Sequence, residues 1–288
     1  MSADVVTLGE ALVALVADEG RPLSAAGTFT PFVAGAEANV AMGLARLDRS
    51  VAYVGRVGAD GLGQMVRTVL RGEGIDVRWL SDDPSAPTGA LARDRRSFPH
   101  PEVVYLRRGS AASRLDAEDV AAAGEAIASA RWLHLTGITP ALSESCRAAV
   151  RAALQFARAG SVRVSLDVNL RRRLWSDREA APVLAELAER FGVEAVVKRG
   201  ERGAVGCRGS EVAEDPGIAV AAVDVVGAGD AFTAGYLDAL LDGASLADAL
   251  RRANACGAIA VSAVGDATGL PTRSELQRVL AGGGDVLR

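Results

Sequence analysis

The chain has 288 residues, 49% of them hydrophobic and 24% charged, which is enough apolar material for a sizeable core in one large domain or two small ones. Its formal net charge of −4 and pI near 5.4 give no electrostatic footprint for nucleic acid or an anionic membrane. No apolar run approaches the 18 or so residues of a membrane-spanning helix, and the stretch from Met1 to Leu8, with Asp4 and no basic residue, does not read as a secretory leader.

Val5 to Gly9 is a short apolar run ending in glycine and predicts a buried strand. Ala36 to Leu47 carries apolar residues at helical spacing, Val51 to Gly55 reads as the next strand, and Gly63 to Gly72 as the next helix. The rhythm recurs in a strand over Trp132–Leu135, a helix over Glu144–Ala159, a strand over Val162–Asp167, a helix over Arg178–Arg190 and a strand over Glu194–Lys198. Alternation of this kind predicts a mostly parallel sheet with helices on both faces. Two stretches, about 12–33 and 88–107, lack a helical period and are expected to form a small accessory sheet, a lid over one edge of a single domain spanning 1–288. Ile218–Val223 is strand-like. Helices are expected over Ala228–Leu241, Leu246–Ser262 and Arg273–Leu280, before a frayed Gly282-Gly283-Gly284 tail.

Cys146, Cys207 and Cys256 are odd in number and far apart. They show neither a metal spacing nor a disulfide framework and are expected to be small buried thiols in a reducing cytoplasm. Lys198 is the only lysine in a chain otherwise supplied with arginine, which draws attention to its position.

The segment from Asp224 to Phe232 carries the strongest chemical pattern. Gly227, Ala228 and Gly229 leave the backbone open to close approach, and the amides at the start of the following helix suit a phosphate anion. Asp230, in the first turn, suits a base that accepts a hydroxyl proton as a phosphoryl group arrives; alone, the same residues would make a glycine turn with a capping aspartate. Ala34 to Ala41 joins a presumed strand to a helix in the same way, and Asn39 can donate and accept hydrogen bonds to a sugar hydroxyl, although asparagine at a helix start is often only a cap.

Gly35 to Asn39 together with Gly55 to Gly63 resembles the N-terminal signature of the ribokinase (PfkB) family, and Asp224 to Asp230 resembles its C-terminal signature, about 190 residues later and in the expected order. The resemblance implies an α/β ribokinase-like fold with a β-sheet lid, ATP with Mg2+ as donor, Asp230 as base and Gly227, Ala228 and Gly229 as the anion hole. Tyr105 to Ser113, His134 to Thr139 and Asp167 to Arg171 resemble 2-keto-3-deoxygluconate kinases. By that likeness the substrate meets Gly35, Ala36, Glu37, Ala38, Asn39, Tyr105, Arg107, Ile138, Arg171, Asp230 and Asp266. The nucleotide meets Asn169, Leu170, Arg171, the turn Lys198, Arg199, Gly200, Glu201, Arg202, Gly203 and Ala204, the anion hole with Asp230, and Asn254. No residue is assigned as a metal ligand. Arg107 and Arg171 offer guanidinium forks suited to a carboxylate, unless either pairs with a protein carboxylate or serves phosphate.

The implied activity is phosphorylation of 2-keto-3-deoxygluconate to its 6-phosphate. A kinase of a neutral sugar such as fructose or ribose, and a catalytically weak sugar- or nucleotide-binding protein, stand as alternatives. The implied partner is a small sugar or sugar acid, with no nucleic acid and no membrane, in a homo-oligomer. The chain departs from the family pattern at Leu91, where an aromatic residue is usual, and at 190–194, where roughly one β–α unit with an acidic metal-placing motif is missing, judged against ordinary unit lengths.

Overall fold

The computed structural model describes residues 2–18, 21–95, 102–188 and 194–282. They form two compact units, Met1–Ala41 with Ser50–Phe191, and Met42–Arg49 with Gly192–Arg288.

Apolar runs become strands and amphipathic stretches become helices along the first unit. In order these are β1 (Val5–Leu8), β2 (Leu12–Ala17), β3 (Phe29–Ala34), α1 (Ala36–Arg46, divided between the units), β4 (Val51–Gly58), α2 (Gly61–Gly72), β5 (Asp76–Asp83), β6 (Ala90–Arg93) and β7 (Val103–Leu106). Then follow α3 (Ala117–Ala122), α4 (Gly124–Ser129), β8 (Trp132–Thr136), α5 (Thr139–Leu142), α6 (Glu144–Ala159), β9 (Arg163–Asp167) and α7 (Asp177–Ala188). The second unit holds β10 (Glu194–Lys198), β11 (Ala204–Arg208), β12 (Glu211–Asp215), α8 (Ala228–Leu241), α9 (Leu246–Ala260) and α10 (Arg273–Leu280).

In the first unit, five parallel strands run in the order β5-β4-β1-β8-β9. β1 is central and fully buried, which is why its sequence is mostly apolar, broken only by Thr7, rather than an alternation. Its Val6 and Leu8 pack with Ala52, Val54, Leu133 and Leu135 of the neighbouring strands against Val120 of α3, Ile127 of α4 and Val150 of α6. The two stretches expected to make an accessory sheet do so, in the order β3-β2-β6-β7.

A third sheet, β10-β11-β12, is antiparallel and lies in the second unit. There Phe232 of α8 and Leu246, Leu250 and Ala253 of α9 bury against Ala204 of β11. Residues 218–223, expected as a strand, pair with no sheet among the described residues; Val223 only donates its amide to the Val261 carbonyl at 2.7 Å. Apolar alternation there has no neighbouring strand to bury against, and Ile218, Val220 and Val223 stay exposed. Cys146 and Cys256 are buried as expected, with burial pushing their thiols up to about 11 and about 12, while Cys207 on β11 is half-buried. The site of the missing β–α unit falls largely on residues 189–193, outside the described residues; β9 ends its sheet and β10 ends its own.

Candidate active site

The second unit contributes a helix start. Gly227 is the N-cap of α8 with φ 81°, and a Cβ there would stand 2.1 Å from the Asp266 carbonyl oxygen, so both conformation and space demand glycine. Asp224 fixes this junction: its carboxylate accepts from the Val226 amide at 3.1 Å and from the Gly265 amide at 3.1 Å, tying the loop that carries Asp266 to the turn before α8. Among the described residues the Gly227 and Gly229 amides meet no acceptor, whereas the Ala228 amide reaches the Val225 carbonyl at 3.4 Å. Two donors at the positive end of a 14-residue helix make a cradle for an anion. Asp230, the third residue of α8 and buried, adds a carboxylate beside it.

Lys198 lies beside the same turn. Its ammonium donates to the Gly229 carbonyl at 2.7 Å and the Thr233 hydroxyl at 2.7 Å, and sits 5.5 Å from the centre of the Phe232 ring. The lysine therefore braces the first turn of α8 and places a positive charge next to the cradle. Arg199 to Ala204 form the turn from β10 into β11, closed by the Arg199 amide on the Gly203 carbonyl at 2.8 Å. Asn254 turns its amide to the Asp215 carboxylate at 2.6 Å and so fastens α9 to the end of β12.

The first unit contributes a pocket of about 1110 Å³ between β7, the segment after it, α5 and the loop after β9. Tyr105, Arg107, Leu170 and Arg171, all singled out in the sequence, line it, joined by Arg108, Ser113, Leu142, Arg172 and Arg173. Arg172 pairs with Asp177 at 3.1 Å, and Arg173 donates to the Val103 carbonyl at 2.6 Å, holding the loop to β7. Arg108 and Arg171 are exposed and enter no ion pair among the described residues, so their charges face the pocket's contents. Asn169 adopts φ 37°, its amide held by the Asp167 carboxylate at 3.0 Å, and this turn delivers Leu170 and Arg171 to the pocket wall. Ile138 is buried and does not line the pocket; Ala141 and Leu142 of the same segment do.

The Gly35–Asn39 segment meets Glu10 through Gly35 and the start of α5 through Glu37. A Cβ on Gly35 would stand 2.2 Å from the Glu10 carbonyl oxygen, and Ala36, Ala38 and Asn39 are buried. Glu37 is 1% exposed, and one carboxyl oxygen accepts from Thr136 at 2.7 Å and Thr139 at 2.6 Å while the other meets no partner. Burial raises its pKa against those hydrogen bonds. The second part of the N-terminal signature is a brace. Asp60 caps α2 through the Gly63 amide at 2.8 Å and accepts from the Thr88 amide and hydroxyl at 2.8 Å each, which fixes the Thr88-Gly89 turn.

A family model for pfkB family carbohydrate kinases matches residues 2–191 and 175–273. The chain belongs to the pfkB family. Its relatives include the 2-dehydro-3-deoxygluconokinase of Bacillus subtilis, 36% identical over 315 aligned residues that cover 98% of this chain and 96% of that one. They also include a fructokinase of Klebsiella pneumoniae, 34% identical over 97% of this chain and all of its own. An Escherichia coli protein assigned as ribokinase II and solved with ATP and Mg2+ superposes with a TM-score of 0.86 at 25% identity, over 98% of this chain and all of that one. The carbohydrate-kinase likeness therefore spans both units. The two family matches overlap across α7, and 315 aligned positions exceed the 288 residues of the chain.

Sequence reasoning passed over Glu10, the buried partner of Arg107. A lone glutamate after a strand has no spacing pattern to mark it. The available signal was a carboxylate set two residues after a short, mostly apolar buried strand.

Proposed function

We propose that the protein phosphorylates a sugar acid with ATP, and that 2-dehydro-3-deoxygluconate (the 2-keto-3-deoxygluconate of the sequence reading) is the substrate the pocket fits best. The observation that carries this reading is the pocket itself: Tyr105 and Arg107 on one side and the uncommitted guanidiniums of Arg108 and Arg171, a surplus of positive charge that a neutral hexose does not require. Asp230 is the proposed base for the acceptor hydroxyl, the terminal primary alcohol. The open amides of Gly227 and Gly229 suit the nucleotide's phosphate, with the Lys198 charge alongside. Mg2+ bound with the nucleotide would neutralise phosphate charge. Such an ion would be held chiefly by phosphate oxygens and water. By family likeness and its free thiols, we place the protein in the cytoplasm as a homo-oligomer.

A second reading is a protein that binds sugar acid and nucleotide with slow turnover, and the break in the family match at α7 favours it. One experiment separates the readings: ADP release with 2-dehydro-3-deoxygluconate, fructose and ribose, beside calorimetric binding, for the wild type and Asp230→Asn. We expect the acid to give the highest kcat/KM, and the variant to bind it while losing roughly 10²–10⁴-fold in kcat. Higher kcat/KM for fructose or ribose rejects the acid. A variant with wild-type kcat rejects Asp230 as base. Binding without ADP release by the wild type selects the second reading.

A further inference from the structure

Glu10 stands two residues beyond β1 with its side chain 1% exposed, so its charge has no water to face and must be met inside the protein. Two groups meet it. The Ser110 hydroxyl donates to one carboxyl oxygen at 2.8 Å, and the Arg107 guanidinium forms an ion pair with the other. Gly89 makes room for this arrangement: a Cβ there would stand 2.5 Å from Glu10 Oε1 and 3.5 Å from Arg107 Cβ. The glycine is itself held by the Asp60–Thr88 brace, so part of the N-terminal signature ends on Glu10.

Arg107 is thereby pinned at one end of its fork. Its side chain is 10% exposed, its guanidinium lies 5.6 Å from the centre of the Tyr105 ring, and its Nε meets no acceptor among the described residues. The pinned arginine lines the pocket, although Nε itself is buried and faces no ligand. Its positive charge, however, is already matched by Glu10, whereas Arg108 and Arg171 keep theirs.

We propose that Glu10 is a positioning residue for substrate specificity: it locks Arg107 into the pocket wall as an oriented hydrogen-bond donor and leaves the net attraction for a sugar-acid carboxylate to Arg171 and Arg108. The inference builds on the sugar-acid reading above. An arginine free in solution loses much side-chain freedom on meeting a ligand; one already held by a buried carboxylate does not, and the ligand gains the difference.

The test is a double-mutant cycle in the full-length protein with Glu10→Gln, Arg107→Met and the pair, reading KM for 2-dehydro-3-deoxygluconate, KM for ATP, and kcat. Glu10→Gln keeps the shape and the Ser110 hydrogen bond and removes the charge that pins Arg107. We expect it to raise KM for the acid roughly tenfold, leave KM for ATP within twofold, and add less than twofold in the Arg107→Met background. Gly89→Ala, whose Cβ would displace the carboxylate without changing any charge, should reproduce the same acid-selective rise if Glu10→Gln does not fold. A KM for the acid unchanged in whichever of the two folds, an equal rise in KM for ATP, or effects of Glu10→Gln and Arg107→Met that simply multiply would overturn the proposal. A wild type that phosphorylates only neutral sugars removes the functional reading and this inference with it. A wild type active on the acid with no coupling in the cycle removes this inference alone.

Discussion

Two clusters of buried carboxylates, one in each unit, are supplied with partners in opposite ways. In the second, Asp238 of α8 is fully buried and saturated: Arg49 reaches it at 2.6 Å, Arg252 at 2.6 Å and Arg273 at 2.7 Å. Asp242, one helical turn on, shares Arg49 and Arg252. In the first, the buried carboxyls of Glu10 and Glu37 share one nearby arginine, and one Glu37 oxygen meets nothing. A saturated cluster has no capacity left for a ligand and holds α8, α9 and α10 to the end of α1. An undersupplied cluster whose one arginine lines a basic pocket is where structure has been subordinated to binding.

Breaking the saturated cluster has the largest expected effect. Asp238→Asn leaves three arginines around a neutral amide and should cost about 3–5 kcal/mol, as when one partner of a buried ion pair is removed. Urea denaturation followed by hydrogen exchange should show the loss in α8, α9 and α10, with KM for the sugar acid unchanged in the protein that remains folded. A loss below about 1 kcal/mol would show that the arginines are solvated well enough without it.

The pocket predicts the reverse pattern. Arg171 is exposed and supports nothing through its side chain among the described residues, so Arg171→Ala should change stability by less than about 0.5 kcal/mol. Removing its charge should raise KM for a sugar acid about tenfold or more, and far less for fructose. Equal effects on acid and neutral sugar would move carboxylate recognition elsewhere in the pocket.

The contrast was only partly legible in the sequence. The alternation of strand and helix was readable because β4 and β8 are short, mostly apolar runs with helical periods beside them. β5, with Asp76, Asp82 and Asp83 at its ends, was passed over and takes its strand form by pairing with β4. The β11–β12 hairpin around Gly209 was passed over, since half-buried positions such as Val205 and Ala213 give too weak an alternation. At the site, Gly227 and Asp230 were visible because a glycine turn followed by an aspartate has a local backbone logic. The acceptors of Lys198, 31 and 35 residues away, have none. Neither has the pairing of Glu10 with Arg107, which exists only once β1 and the segment after β7 have folded together.

The smallest expected effect is also the sharpest statement about the undersupplied cluster. The groups facing Glu37 are the hydroxyls of Thr136 and Thr139, with the charges of Glu10 and Arg107 and the phenol of Tyr53 nearby. Burial is the leading cause of its raised pKa, outweighing both threonine hydrogen bonds, so folding increases its hold on a proton. Between the ordinary value near 4.5 and the elevated folded value, the folded protein binds more protons than the unfolded chain, and stability falls as pH rises through that window. Glu37→Gln keeps an oxygen for the two threonines and cannot ionise. Its melting temperature relative to wild type should therefore climb from pH 4 to pH 8. A difference that stays flat over that range would mean that Glu37 titrates as an ordinary carboxyl, and that the cluster is better supplied with partners than its geometry indicates.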